Sequence, residues 1–505
     1  MLRSKSLKKA GIFAYLLIAV NAISGFILGP TILSRVGTNI YGVYTTVNAL
    51  VSTLMIADLG VSQTLIRFIA DYKANRKEDI EISQFCKTVK AINYILVGIA
   101  LIVGLVVYSI VPSIYKTTFS IDEIVTAQSL LLICLISIIA TLLSNYYAGI
   151  IAGYGYFTYI NITKTVSVLL KLVLSVTAVS VFEDVFIVVW INVVISVVVY
   201  LADLIFYKVC INIKLSFGFA QTKIFKAMSV YTLLIFVQTV VDQVNSNLDN
   251  IIIGAVAGSA AVAVYSFGLT IFHMFQQLST SISQMLVPYM SDVVASGVGH
   301  LEIEDRLIKI GKIQYLIVGG IYFGFISIGR EFIEIWLGPG YEEVWIVAVI
   351  LMTGGLFPLI QNGAIALLKA KNLMGFRTAT LFVAAMLNAV ATIILVHYFG
   401  FVYASIGTAL GFVVVNTIVM DVYYFKKLNL NMFRVLWNIV KKATLIDVIC
   451  AMFSYLTKKL LADQDICFNF IVSGLVFVVI YYPAVYYTVL TKIERTELFG
   501  RLSKR

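Results

Sequence analysis

Charged residues are scarce in this chain, and their scarcity excludes an ordinary soluble protein. Asp, Glu, Lys and Arg together make up 12% of its 505 residues, whereas apolar residues make up 60%. Soluble globular domains carry about 25% charged residues. A chain with so little charge is therefore expected to fold in lipid rather than in water.

Cysteine pairs and catalytic motifs are also lacking. The five cysteines form no C-x-x-C pair and no zinc-like spacing, so neither a disulfide framework nor a metal site is predicted. The chain contains no hydrolase nucleophile elbow, HExxH pair, phosphate-binding Gly-Lys motif or paired-carboxylate pattern. We therefore predict that the protein is not an enzyme and has no cofactor.

Long apolar runs fill most of the chain. The run from Ala10 to Ser34 has 25 residues without a charge, which exceeds the roughly 20 needed to cross a bilayer. Backbone polar groups in lipid must be satisfied within their own element, so such runs are predicted to be helices. The sequence thus predicts an all-α polytopic membrane protein with about 14 transmembrane helices. The predicted spans are residues 12–33, 41–66, 91–111, 124–147, 156–181, 185–207, 227–254, 260–287, 310–329, 344–368, 374–397, 401–425, 435–457 and 467–490.

The basic residues are unevenly divided between alternate loops. If the N-terminus is cytoplasmic, the inside segments contain 29 of the 37 Lys and Arg residues. The outside loops contain five, which are Arg35, Lys116, Arg330, Lys458 and Lys459. Positive charge is enriched on the cytoplasmic side of membrane proteins. We therefore predict a protein of the cell membrane with both termini on the cytoplasmic side. The same rule explains the net charge of +11 without a nucleic acid partner.

A short pattern of glycine and tyrosine occurs twice in the chain. Gly37 and Tyr44 have the same spacing as Gly258 and Tyr265, with a small residue at the fifth position after each glycine, 221 residues apart. Repeated bundles are common in secondary transporters, although a match of three positions can also arise by chance. We predict pseudo-symmetric six-helix lobes at 1–210 and 220–426, a helix pair at 430–492 and a cytoplasmic tail at 493–505.

Two lysines in the fifth predicted span are candidates for a cationic site. Lys164 and Lys171 are seven residues apart, which places both on one face of a helix. An ionisable side chain in hydrocarbon costs several kcal/mol and needs a reason to be there. Lys164 lies close enough to the membrane boundary to extend into the headgroups. Lys171 lies deeper, and we predict that it faces a transport lumen, with a structural ion pair as the alternative.

Polar residues form a stripe along each of two neighbouring spans. In the seventh span they are Gln238, Asp242, Asn245 and Asp249; in the eighth they are His273, Gln277, Thr280 and Gln284. Both sets recur at i, i+4, i+7 and i+11, which is one side of a helix. We predict that they line a hydrated lumen; hydrogen bonding between helices is the alternative.

The other acidic residues in or near the predicted spans have simpler explanations. Asp58 and Arg67 are nine residues apart, on opposite faces of the second span, so we do not expect them to pair with each other. Asp203, Asp421 and Asp447 are predicted to lie near the membrane boundary. Ordinary solvation or a neighbouring lysine is expected to explain those three carboxylates.

Taken in order, several motifs resemble those of a known family. The stretch from Leu33 to Arg67 reads SRVG…YGVY…DLG…R. Further matches are Asp249 with Gly254 and Tyr265, then Trp336-Leu337-Gly338, then Asn388, Gly400 and Gly407-Thr408. The chain resembles the polysaccharide (O-antigen type) flippase family of the multidrug/oligosaccharidyl-lipid/polysaccharide exporter superfamily.

The resemblance implies a transporter that flips a polyprenyl-pyrophosphate-linked oligosaccharide to the outer leaflet by alternating access. It implies a monomeric transport unit whose partners are membrane lipids and other polysaccharide-assembly proteins. Three basic side chains would bind the pyrophosphate. A cationic cavity is physically reasonable because pyrophosphate needs positively charged partners in a low-dielectric region. The cations are Lys171, Lys164 and Arg35. The amides of Gln238, Asn245, Gln277 and Gln284, with His273, would line the lumen and meet sugar hydroxyls. Asp242 and Asp249 would bind a coupling ion, H⁺ or Na⁺, or neutralise the lysines in the empty site.

Four alternatives are weighed against this interpretation. A cation-coupled multidrug antiporter of the same superfamily often has an acid in its first span, whereas this chain has none between Met1 and Ala57. A lipid II flippase has more arginines in its first lobe than Arg35 and Arg67 here. A glycosyl polymerase or ligase would need a large outer loop, and an inert scaffold would have no use for lysines inside the membrane.

Overall fold

The computed structural model describes residues 2–75, 79–211, 222–283, 286–491 and Arg495. Within these ranges the chain is helical and contains no strand. Gln284 and, apart from Arg495, the predicted tail at 493–505 lie outside the described residues.

The helices follow the order of the predicted spans. They are α1 Leu2–Val36, α2 Thr38–Leu54, α3 Val61–Ala74, α4 Asp79–Tyr115, α5 Ile121–Gly153, α6 Phe157–Phe182, α7 Val185–Phe206, α8 Thr222–Ala257, α9 Ser259–Ser283, α10 Leu286–Ala295, α11 His300–Leu337, α12 Glu342–Ile360, α13 Asn362–Ala370, α14 Met374–Phe399, α15 Ala404–Gly411, α16 Met420–Leu428, α17 Met432–Leu460 and α18 Ile466–Ala484. Short 3₁₀ or π segments at Met55–Asp58, Tyr207–Ile211, Phe401–Tyr403, Phe412–Val419 and Val485–Val489 extend or link them.

Most of these helices are suited to a bilayer. In the part of the chain that the structure describes, twelve stretches are long and apolar enough to cross a membrane. The other two predicted spans, 227–254 and 435–457, fall in α8 and α17, which have 36 and 29 residues. Both exceed the roughly 20 residues that a crossing needs. The predicted all-α polytopic fold is confirmed.

The second span is broken near its middle. It extends from Thr38 to Ala74, but α2 passes into a 3₁₀ turn at Met55–Asp58 before α3 begins. Leu59 and Gly60 follow the turn in the left-handed conformation, with φ of 46° and 70°. Left-handed residues end a helix because they redirect the backbone away from its hydrogen-bond ladder. The Asp58-Leu59-Gly60 motif therefore encodes the break.

The described chain forms two compact units. The first unit comprises Met1–Ser266 with Thr392–Phe401. In it, α3, α4 and α5 surround a core that includes Leu65, Phe85 and Tyr146. The start of α9 approaches α2 so closely that a β-carbon at Gly42 would overlap the Ser259 carbonyl. The YGVY motif thus has a glycine where two backbones meet.

The second unit comprises Phe267–Ala391 with Val402–Arg505. In it, α11 packs against α12, α17 and α18, and α12 packs against α15. Glycines again allow close approach, because a β-carbon at Gly354 would meet Ala409, and one at Gly320 would meet the Tyr481 ring. The predicted final helix pair, α17 and α18, is therefore part of the packing of this unit.

Helix boundaries in the first part of the chain recur in the second part at a similar offset. Gly37 and Gly258 both have positive φ, 83° and 93°, and each precedes a helix. α4 and α11 start 221 residues apart, and so do α5 and α12. The offset becomes 217 at α6 and α14, after the break between α12 and α13. These boundaries extend the repeated Gly/Tyr pattern over several helices, while the limits of the lobes stay a prediction.

Candidate functional site

Lys171 lies in α6, two turns beyond Lys164. It is half-buried, and the Cys134 thiol of α5 is within electrostatic reach. Among the described residues it makes no hydrogen bond or ion pair. The alternative of a structural ion pair therefore gains no support from the described part of the chain.

Of the other two predicted cations, Lys164 also lies in α6, whereas Arg35 lies near the end of α1. Lys164 is exposed and within electrostatic reach of the Asp203 carboxylate of α7. Arg35 forms an exposed ion pair with Glu183, with 3.2 Å between Nη1 and Oε1. Glu183 follows the end of α6, so this pair is about 18 Å along the axis from Lys171 and about 28 Å from Lys164. The first unit thus spreads its three candidate cations over the length of α6.

The polar stripe of α8 changes character along the helix. Gln238 donates to the Asp242 carboxylate across 2.9 Å, and Asn245 is half-buried one turn further on. Asp249 is buried and accepts hydrogen bonds from the Tyr265 hydroxyl at 2.8 Å and the Thr392 hydroxyl at 3.0 Å. Asp249 therefore occupies an enclosed polar site within the first unit.

The polar stripe of α9 falls in the second unit. His273 is half-buried beside the Phe272 ring, with 6.1 Å between the ring centroids. Gln277 is also half-buried, and its carbonyl accepts a hydrogen bond from Thr280 across 3.2 Å. Gln284 is outside the described residues. The described parts of the two stripes belong to different units, so a shared lumen stays a prediction.

A set of polar contacts at helix breaks was not anticipated from the sequence. In the first unit, Ser144 donates to Asp203 across 2.6 Å and Asn145 donates to Asp58 across 3.3 Å. These four side chains come from α5, α7 and the break in the second span. Asp203 is 2% exposed, so ordinary solvation does not explain this carboxylate, whereas the expected neighbouring lysine is present as Lys164.

The second unit contains the matching contacts. Gln361 donates to Asp421 across 2.9 Å, and Asn362 donates to Ser279 across 3.0 Å. Gln361 and Asn362 follow Ser144 and Asn145 by 217 residues. Ser279 follows Asp58 by 221. A comparison of polar residues at the repeat offset could have predicted these contacts from the sequence.

Asp447 also departs from the sequence interpretation. It is fully buried in α17, close to where a β-carbon at Gly319 of α11 would lie. Neither carboxylate oxygen has a hydrogen-bond partner within the described residues. Solvation at the membrane boundary does not explain this side chain, because helix packing places it in the core of the second unit.

The described residues define an all-α polytopic membrane protein with an internal repeat and with ionisable side chains inside its spans. Its fold is similar to that of solved transporters. The lipid II flippase MurJ in an inward closed conformation matches with a TM-score of 0.71 and 16% identity, covering 97% of this chain and 99% of that one. An inward-facing multidrug resistance MATE family transporter matches with a TM-score of 0.64 and 14% identity, over 84% and 94% of the two chains. A MATE transporter from Vibrio cholerae has a TM-score of 0.55, 14% identity, and coverage of 85% and 98%.

The chain belongs to the polysaccharide biosynthesis protein family, which matches residues 7–294, more than half of its length. No curated protein matches it by sequence. Family membership confirms the resemblance that the motifs indicated. At 14% to 16% identity the structural neighbours establish the fold, and the fold alone does not select a substrate.

Proposed function

We propose that the protein flips a polyprenyl-pyrophosphate-linked oligosaccharide from the inner to the outer leaflet of the cytoplasmic membrane. The step would use alternating access and would serve cell-surface polysaccharide biosynthesis, such as that of O-antigen, capsule or exopolysaccharide. Membership of the polysaccharide biosynthesis protein family supports this substrate class over drugs or lipid II. We further propose that both termini are cytoplasmic and that one chain forms the transport unit.

The observation that carries the proposal is the environment of Lys171. A lysine at this depth costs several kcal/mol unless an anion compensates it. The described residues contribute no carboxylate to it. A pyrophosphate headgroup would supply the missing anion and would form charge-assisted hydrogen bonds with the ammonium group. Lys164 and Arg35, which have carboxylates nearby, would act as earlier or later contacts.

The amide side chains suit the sugar part of the substrate. Gln238, Asn245 and Gln277 each offer donors and an acceptor, which is what sugar hydroxyls require. Gln284 and His273 complete the proposed polar lining. Because these groups are uncharged or weakly basic, they would tolerate different glycans better than a fixed charge would.

Coupling to an ion is assigned to the acids of α8. Asp249 accepts hydrogen bonds from two hydroxyl groups. Its carboxylate could bind H⁺, or it could coordinate Na⁺ together with the hydroxyl oxygens. Asp242, which is exposed, would exchange its ion with water more readily. Binding of a cation here would compensate the charge of the carboxylate during transport.

The test is the sidedness of lipid-linked oligosaccharide in cells that lack the gene. Complementation with the wild type should restore the outer-leaflet pool. Lys171→Met removes the charge but keeps the length of the side chain, and it should lower the transport rate by about tenfold to a hundredfold, the value of one charge-assisted hydrogen bond. Lys171→Arg keeps the charge and should retain more of the activity than Lys171→Met.

Protein level in the membrane must be equal for each comparison. Lys427→Ala removes an exposed lysine at the end of α16 and serves as the matched control with full activity. Normal transport by Lys171→Met at normal protein level would refute the role of the lysine. If deletion of the gene causes no inner-leaflet accumulation, the flippase proposal itself is wrong.

A further inference from the structure

A separate concentration of positive charge lies in the second unit, where α11 and α17 begin and α18 ends. A cavity of about 310 Å³ opens between these helices. Its polar lining includes Lys312, Arg434, Lys441, Lys442, Asp305 and Asn438. Ligand cavities in proteins start at roughly 300 Å³, so this basic pocket is large enough for a small polar group.

Two of the lysines in the basic pocket, Lys441 and Lys442, lack a carboxylate partner among the described residues. Arg434 is engaged by Glu304 at 2.9 Å and by Asp305 at 3.4 Å. The ammonium group of Lys441 instead donates to the neutral amide of Asn438 across 2.7 Å. The pocket therefore presents an excess of positive charge to whatever enters it.

The depth of the basic pocket matches the headgroup layer of a membrane. α11 has 38 residues and is about 57 Å long, far more than the roughly 30 Å of hydrocarbon. Lys312 lies about 18 Å from the start of α11. Phe433 and Trp437, on α17 beside the pocket, are 77% and 57% exposed, and exposed aromatic residues are typical of the membrane boundary.

We infer that the basic pocket binds the phosphate headgroup of an anionic phospholipid of the surrounding bilayer. Basic pockets between transmembrane helices suit such headgroups, and an oxyanion would accept hydrogen bonds from the ammonium groups of Lys441 and Lys442. Ile439 and Val489, which are buried, form apolar walls of the pocket. The exposed aromatic side chains of α17 would lie against the acyl chains. This inference does not depend on the proposed transport function.

The experiment measures lipid binding by full-length protein purified in detergent. Phosphatidylglycerol, phosphatidylcholine and inorganic phosphate are titrated separately, and the Tm is recorded, because a ligand of the folded state raises it. Wild-type protein should be stabilised by phosphatidylglycerol and much less by phosphatidylcholine. Each lysine near a membrane surface is worth about a factor of five in affinity, so K441Q/K442Q should weaken phosphatidylglycerol binding by about 25-fold.

Two control variants separate charge at this site from charge in general. K441R/K442R keeps both cations and should bind as the wild type does. K426Q/K427Q removes two exposed lysines from the end of α16, outside the basic pocket, and should also bind as the wild type does. Because all four lysines are exposed, these substitutions should leave the fold intact.

Three results would overturn the inference. The first is equal stabilisation by phosphatidylglycerol and phosphatidylcholine. The second is unchanged phosphatidylglycerol affinity in K441Q/K442Q, or an equal loss in K426Q/K427Q. The third is stabilisation by inorganic phosphate that equals that of the lipid at the same concentration, because it would show a site for free anions. A failure of oligosaccharide transport would change none of these readouts.

Discussion

The side-chain amide of Asn145 donates a hydrogen bond to the carboxylate of Asp58 across 3.3 Å. Asp58 ends the 3₁₀ turn that interrupts the second span, and Leu59 and Gly60 follow it in the left-handed conformation. A break exposes backbone and side-chain polar groups that lipid cannot satisfy. The contact therefore ties the broken span to α5 where the helix ladder is interrupted.

Removal of the Asn145 amide should destabilise this break. In Asn145→Ala the half-buried Asp58 carboxylate loses a donor, so the free energy of unfolding should fall by about 1 to 2 kcal/mol. The measurement is thermal unfolding of the purified protein in detergent. Asn21→Ala is the control, because Asn21 is exposed and, within the described ranges, bonds only to the Leu17 carbonyl of its own helix. Equal effects of the two variants would show that the contact with Asp58 is unimportant.

Gly42, the glycine of the YGVY motif, is expected to tolerate substitution poorly. A β-carbon there overlaps the Ser259 carbonyl, so Gly42→Ala should force α2 and α9 apart and lower the free energy of unfolding by about 1 to 3 kcal/mol. Gly98→Ala is the control, since nothing lies within 4 Å of a β-carbon at that position in α4. The Tm of Gly98→Ala should equal that of the wild type or be slightly higher. A tolerated Gly42→Ala would contradict the close approach.

Two arginines of the second unit should differ sharply in their effect on stability. Arg434 pairs with Glu304, whose side chain is 2% exposed, whereas Arg306 pairs with Glu302, whose side chain is 52% exposed. Arg434→Ala leaves a buried carboxylate without its cation, and the free energy of unfolding should fall by about 2 to 3 kcal/mol. Arg306→Ala should have a much smaller effect because water solvates the remaining partner. Similar losses in both variants would argue against a buried pair at Glu304.

The native cysteines allow a direct test of the proposed orientation. Cys210 and Cys467 are exposed, while Cys86, Cys134 and Cys450 are buried. With cytoplasmic termini, Cys467 at the start of α18 faces outward and Cys210 after α7 faces the cytoplasm. A membrane-impermeant maleimide should therefore label intact cells at Cys467, and Cys210 only after permeabilisation. Cys467→Ser should abolish labelling of intact cells, and labelling of Cys210 in intact cells would reverse the orientation.

The helices were predictable because lipid imposes a local requirement. An apolar run of about 20 residues becomes a helix in a bilayer whatever it packs against. The Gly/Tyr pattern also predicted a repeat. Gly37 and Gly258 do share positive φ just before a helix starts. The break at Leu59 was harder to predict from the sequence, because the surrounding residues remain apolar and only Gly60 indicates a change of backbone direction.

The candidate site was less predictable from spacing. Spacing placed Lys164 and Lys171 on one helix face, but it did not reveal that Arg35 pairs with Glu183. It also predicted ordinary solvation as one explanation for Asp203 and Asp447, although both are buried. Depth along a helix can be read from residue number, whereas the partner on the next helix cannot.

The sequence by itself determined which segments are helical and membrane-spanning, because those properties depend on composition over about 20 residues. Only the tertiary structure decided which polar groups meet. Ser144 and Asp203 are 59 residues apart, and Asn145 and Asp58 are 87 apart. Such contacts depend on how helices pack and rotate about their axes, which the composition of each segment does not specify.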